Sequence, residues 1–147
     1  MKHTRLYIAA AAALALDRAG KLLWGEANID LIPGVLAFRG VRNTGMAFGW
    51  LGGMPWLLAL LSAAFCAGAW LLLRRRKLGR LMQYALGLIL GGALGNLLDR
   101  VFLGYVIDFI DPVFLHWFVC NPADIAITCG AAMAAGRLLF GKEESHP

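Results

Sequence analysis

Positions 43–73 contain no Asp, Glu, Lys or Arg, and four further uncharged runs occupy 6–16, 81–98, 112–123 and 125–136, the last two separated only by Asp124. Chain this apolar has no soluble fold that would keep its surface out of water. It fits a bilayer, where about 20 apolar residues per helix span the hydrocarbon. Composition agrees, with 60% hydrophobic and 16% charged residues and a mean hydropathy of +0.67. The predicted fold class is an all-α membrane protein, a single membrane-embedded domain over 1–147, with four transmembrane helices near 6–24, 54–73, 81–100 and 118–140.

Of fourteen Lys and Arg, five lie in RRRKLGR at 74–80, and Lys2, Arg5, Arg137 and Lys142 flank the two ends. The positive-inside rule puts these regions on the cytoplasmic side, with both termini. Lying between two apolar spans, RRRKLGR is a topological anchor, and no nucleic-acid partner is expected. The segments near 25–52 and 101–117 then face outward. Pro33, Gly34, Gly40, Gly45 and Gly49 punctuate the first, and VLAFRGVRN predicts short strands turning at Arg39-Gly40, a small extracytoplasmic β cap. The start, MKHTRLYIAAAAALALDRAG, has the pattern of a secretory signal peptide, but apolar residues resume at Leu22, Leu23 and Trp24, so it is expected to be retained as the first span. Cys66, Cys120 and Cys129 are odd in number and predict packing rather than a disulfide framework.

Helix rise gives the depth of the polar residues. Nineteen steps from Arg80 to Asp99 cover about 28 Å, close to the full hydrocarbon thickness, which puts Asp99 and Arg100 at the outer interface. Twelve steps from Arg5 to Asp17 and thirteen from Arg137 back to Asp124 cover about 18 and 20 Å, so these two acids lie at similar depth in the outer leaflet. Asp17 with Lys21, Asn96 with Asp99 and Arg100, and Asn121 with Asp124 recur at three- or four-residue spacing, one polar stripe per helix. Such stripes turn into the bundle, because lipid offers them no partners.

Local neutralisation sorts the acids. Asp17 has Lys21 one turn on and Asp99 has Arg100 beside it, which favours structural roles for Asp17, Lys21 and Asp99; Asp111, before Pro112, is expected to be a solvated turn residue. Asp108 in YVIDFI and Asp124 after NPA have no cation within one helical turn. Brought together in a low dielectric, two such carboxylates cannot both ionise readily, which supplies a general base and a general acid at once. Competing chemistries have little material. The only serines are Ser62 and Ser145, the three histidines are scattered with no H-E-x-x-H, and a thiolate pair would need His116 and Cys120 to share a helix. No metal and no cofactor are expected.

GNLLDR at 95–100, Asp108 in VIDFID and NPADIAITCG at 121–130 resemble, in order and spacing, the signature blocks of bacterial lipoprotein signal peptidase (signal peptidase II). LDRAGK at 16–21 and NTGMAFG at 43–49 resemble two further blocks of that family. The resemblance implies an inner-membrane aspartic endopeptidase that removes the signal peptide of prolipoproteins just before a diacylglyceryl-modified cysteine, with four membrane helices and an extracytoplasmic β-cradle. It implies Asp108 and Asp124 as the catalytic dyad, Asn43, Asn96, Arg100 and Asn121 as substrate-binding or dyad-supporting residues, and structural positions for Asp17, Lys21 and Asp99. The expected partners are the lipid-modified substrate and membrane lipids, and a monomer would suffice. Three positions depart from the family pattern: Arg18 where Gln is usual, Cys120 where Phe is usual, and Pro122. The alternative outside this class is a small transporter or proton- or cation-conducting bundle using the same buried acids.

Overall fold

The computed structural model describes residues 3–45, 54–115 and 118–140. These form, in order, α1 (Thr4–Trp24), β1 (Asn28–Ile32), β2 (Leu36–Asn43), α2 (Pro55–Leu73), α3 (Arg80–Leu103), β3 (Val106–Asp111) and α4 (Pro122–Phe140). Helices α2, α3 and α4 are long and apolar enough to cross a membrane. Helix α1 has the length but carries Asp17, Arg18 and Lys21 within five residues.

All three other helices pack against α3. Lipid is as apolar as leucine, so helices in it gain little from burying large side chains against one another; close backbone approach through small residues drives association instead. Helix α3 supplies these on two faces. Gly87 and Gly91 meet Leu6, Ala9, Ala10 and Ala13 of α1, and Gly92 meets Ala123 and Ile127 of α4. A Cβ on Gly87 would lie 2.5 Å from the Leu6 carbonyl oxygen, and one on Gly92 2.5 Å from that of Ala123. Gly130 of α4 makes the reverse approach to the Ala85 carbonyl oxygen of α3. Helix α2 buries only Leu58 and leaves Trp56, Leu60, Phe65 and Trp70 on the outside, as suits a surface that faces lipid.

The cap is an antiparallel sheet in the order β1-β2-β3. Its third strand comes from the segment after α3, beyond the expected cap at 25–52, of which 46–52 lie outside the described residues. The hairpin turns at Pro33-Gly34, not at Arg39-Gly40. Val35 N–H donates to the Ile32 carbonyl at 2.9 Å and Gly34 has φ +73°, the conformation that a Pro-Gly type II turn requires. Gly40 is inside β2, where the register shifts between Phe38 and Val41, and it presses against the Gly25 carbonyl so closely that a Cβ would collide. Arg39 donates to Asp30 of β1 at 2.6 Å and to Asp111 of β3 at 2.7 Å, riveting the three strands. Asp111 is therefore a strand residue in an ion pair with a side chain only 15% exposed, rather than a solvated turn.

The Gly92 contact predicts that Gly92→Ala lowers the thermal stability of the protein in lipid or detergent by about 1–3 kcal/mol, because a backbone carbonyl cannot swing aside. Gly68→Ala, which meets nothing within 4 Å, leaves it unchanged or raises it by up to about 1 kcal/mol. Thermal unfolding of the two variants side by side checks this.

Candidate active site

Two polar clusters meet inside the bundle, at the end next to the sheet. The first is ionic. Arg18 donates from Nη2 to Asp17 Oδ2 at 2.5 Å and from Nη1 to Asp99 Oδ1 at 2.7 Å. Lys21 Nζ lies 3.0 Å from Asp17 Oδ1 and 2.7 Å from Asp99 Oδ2. Two carboxylates and two cations sum to zero charge, and Asp17, Lys21 and Asp99 are almost fully buried. Asp99, expected to be neutralised by its neighbour Arg100, is held instead by Arg18 and Lys21. Arg18 was seen in the sequence only as a departure from a family pattern, and it proves to complete the charge balance.

The second cluster joins the two acids that lacked cations. Asn121 precedes α4 and caps it: Asp124 N–H donates to Asn121 Oδ1 at 3.0 Å, and Asn121 N–H donates to Asp124 Oδ2 at 3.3 Å. This reciprocal capping box, with proline at the first helical position, starts the helix at Pro122 rather than near 118. It also fixes where Asp124 sits. Asp108 lies in β3 opposite Val41 of β2, and Asn43, on the same face of β2 two residues on, donates from Nδ2 to Asp108 Oδ2 at 2.9 Å.

Two amides then connect the carboxylates. Asn121 Nδ2 donates to Asp108 Oδ1 at 2.6 Å and to Asn96 Oδ1 at 3.2 Å, and Asn96 Nδ2 donates to Asp124 Oδ1 at 2.8 Å. The Asn96 oxygen also accepts from Lys21 Nζ at 3.0 Å, which joins the two clusters. With its oxygen facing two donors, Asn96 must turn its nitrogen toward Asp124. Arg100 stands at the edge, donating to the Asn96 and Gly45 carbonyls at 3.3 Å each. Among the expected site residues, Asn43, Asn96, Asn121, Asp108 and Asp124 are thus one network, with Arg100 beside it.

Burial pushes the Asp108 carboxyl up to about 6; the charge of Asp124 acts in the same direction, against the amides of Asn43 and Asn121 and the Lys21 ammonium. Burial first, then Asp124 and Asp108, push the Cys120 thiol up to about 11, so it stays protonated near neutral pH. A thiolate at Cys120 is disfavoured on that ground, and His116, its suggested partner, lies outside the described residues. A groove of about 350 Å³ adjoins the network, walled by Leu58 and Phe65 of α2, Ile89, Asn96 and Arg100 of α3, and Ile127 of α4.

An apolar groove leading to two amide-bridged carboxylates, in a helical bundle with several spans, has the make-up of a membrane-embedded aspartic-type hydrolase. The sequence profile of signal peptidase (SPase) II matches residues 9–140, and the chain belongs to that family. Relatives called lipoprotein signal peptidase include one from Syntrophomonas wolfei, 43% identical with 89% of this chain and 91% of that one covered. Another, from Geobacillus thermodenitrificans, is 40% identical, covering 91% and 89%. A bacterial membrane enzyme solved by the in meso method at 2.3 Å resolution superposes with a TM-score of 0.83 at 26% identity, over 97% of this chain and 93% of that one. These relationships do not favour the transporter alternative.

A carboxyl pushed upward holds its proton more tightly in the folded protein. Its contribution to stability is complete below the ordinary value of 3.8 and is lost as pH rises through about 6. Asp108→Asn removes that loss. Its melting temperature relative to the parent chain should therefore rise between pH 4 and 7, as a pH series of thermal unfolding would record.

Proposed function

We propose that this chain is an endopeptidase that removes the signal peptide from diacylglyceryl-modified prolipoproteins, cutting just before the lipid-bearing cysteine, with Asp108 and Asp124 activating water. The observation that carries this is the pair of amides, Asn96 and Asn121, that holds the two otherwise uncompensated carboxylates in one hydrogen-bonded network. Membership of the signal peptidase II family supports the substrate class.

In this mechanism one carboxylate takes a proton from water while the other, protonated, polarises the scissile carbonyl. Water adds to give a gem-diol. Collapse returns a proton to the departing amine, with no acyl-enzyme. The dyad titrates as a pair, so the proton that starts on one oxygen belongs to both residues. Arg100, at the rim of the groove, is suited to a substrate carbonyl or lipid ester oxygen, and the apolar wall to the signal helix or an acyl chain.

The topology proposed with it has four spans. Helix α1 crosses as well, since its internal charges are neutralised within the bundle, and both termini and the cations at 74–80 face the cytoplasm. The sheet and the site then lie on the outer face of the cytoplasmic membrane, where a lipid-anchored substrate presents its bond. A monomer contains every residue this chemistry uses.

Cleavage of a diacylglyceryl-modified prolipoprotein by the purified chain tests the proposal. Asp108→Asn and Asp124→Asn should each lower kcat by on the order of 10³, and cleavage that survives either change sinks the dyad. The pH–rate profile should be a bell with one limb near pH 6, the value to which burial and the charge of Asp124 push the Asp108 end of the pair. Chelators should leave the rate unchanged.

A further inference from the structure

The two aspartates proposed for catalysis reach the site on different elements, Asp108 on β3 and Asp124 on α4, which are joined directly on one side, by the backbone bridge of Ile110 to Cys120 and by the Asn121 amide on Asp108. The ionic cluster touches the residue just before each one. Ala123 N–H, next to Asp124, donates to Asp17 Oδ1 at 3.1 Å. Ile107 N–H, next to Asp108, donates to Asp99 Oδ2 at 3.1 Å. Each carboxylate thus holds the backbone of one catalytic element.

What remains is to hold the two carboxylates to each other. Lys21 does so from the inside, through one ammonium that also serves Asn96. Arg18 does so from the rim. Its Nε and Nη2 grip Asp17 Oδ2 at 3.2 and 2.5 Å, its Nη1 grips Asp99 Oδ1 at 2.7 Å, and Nη2 also reaches the Gly95 carbonyl at 3.1 Å. A guanidinium is planar and its donors diverge at fixed angles, so a bridge of this kind sets a separation that a flexible ammonium does not. Gly95 lets the bridge sit this deep, since a Cβ there would lie 2.6 Å from Asp17 Oδ2.

We infer that Arg18 is a positioning residue: by clamping Asp17 to Asp99 it supplies the second tie between the backbones that carry Asp124 and Asp108, opposite the Cys120 bridge, and so sets the spacing of the dyad. This rests on the proposed function of Asp108 and Asp124. Arg18 touches neither of them, and its effect is transmitted through Ala123 and Ile107. Among the described residues, the charged and titratable groups around the pair are Asp17, Arg18 and Lys21 from α1, Asp99 and Arg100 from α3, and Cys120 ahead of α4, while β2 adds the neutral Asn43.

Spacing and charge make different predictions. If the fork matters, Arg18→Lys keeps the charge yet loosens the dyad. The mutual repulsion of the two carboxylates then falls, and the two limbs of the pH–rate bell move toward each other. We expect kcat to drop about tenfold with KM within about twofold, because the reacting groups are misplaced while the groove is intact. Arg18→Gln narrows the bell in the same way and also shifts both limbs upward, since one negative charge is left uncompensated. Arg18→Gln combined with Asp99→Asn restores the charge balance but not the bridge, so it returns the limbs to their position and leaves the bell narrow and kcat low.

The experiment is a pH–rate series on the lipid-modified precursor for these variants, per folded molecule as measured by thermal unfolding, with Asp108→Asn and Asp124→Asn alongside. Parental kcat and bell width in Arg18→Lys, recovery of kcat in the double variant, or a loss of rate that only follows the folded fraction would each overturn the clamp. If the two aspartate variants still cleave, it is the dyad itself that fails, and the clamp with it.

Discussion

The tetrad of Asp17, Arg18, Lys21 and Asp99 is the interaction on which the rest of the structure depends. Taking an ion out of water costs several kcal/mol even after relaxation, and removing one partner of a buried pair costs about 3–5 kcal/mol. The tetrad meets that cost by charge balance and by donors to every carboxylate oxygen: five N–H groups and an ammonium, from three different parts of the chain. Arg18 keeps its side chain 36% exposed at the rim, which spares it full desolvation, while the side chains of Asp17 and Asp99 are fully buried. A helix that carries three charges in five residues becomes compatible with a membrane only in this company. The tetrad in turn ties α1 to α3, to the start of α4 and to β3, so the bundle and the cap share one fastening.

The site inherits its order from that fastening. Lys21 occupies the oxygen of Asn96, which leaves the Asn96 nitrogen for Asp124, and the capping box occupies the oxygen of Asn121, which leaves its nitrogen for Asp108. In a low dielectric an amide with one end unpaired would be costly, so each amide here has a single favourable orientation. Local helix chemistry thereby becomes part of the site: the same Asn121 that starts α4 also bridges the two acids.

The residues show which parts of this were legible beforehand. The spans of α2, α3 and α4 were visible because an uncharged run of the right length has few alternatives, and Asp108 and Asp124 stood out because nothing near them in sequence neutralises them. Asp99 misled because Arg100 is its neighbour in sequence, but adjacent residues on a helix point about 100° apart, and Asp99 turns to α1 while Arg100 turns outward. Asp111 misled because its partner, Arg39, is 72 residues away and meets it only across a sheet. The hairpin turn was present in Pro33-Gly34, and Arg39-Gly40 competed with it only because Gly40 is needed for a close contact with Gly25, a tertiary demand that looks like a turn signal. The start of α4 was readable from N-P-A-D as a capping box with proline at its first position. The role of Arg18 was not readable, because it exists only once Asp99 comes within reach.

Helix α3 keeps the ionic cluster and the groove on separate faces. Ile89, Ala93, Asn96 and Arg100 follow one another at helical spacing and line the groove, so that stripe grades from apolar to polar as it approaches the site. Gly91, Gly95 and Asp99 form a neighbouring stripe turned toward α1, where they receive its backbone and its cations. One helix therefore presents a fully paired carboxylate on one side and groove-lining polar residues on the other. Asn96 is where the two stripes meet, since it accepts from Lys21 and donates to Asp124. Because an amide carries no charge and no titrating proton, it transmits position from the ionic cluster to Asp124, and through Asn121 to Asp108, without adding a charge between them.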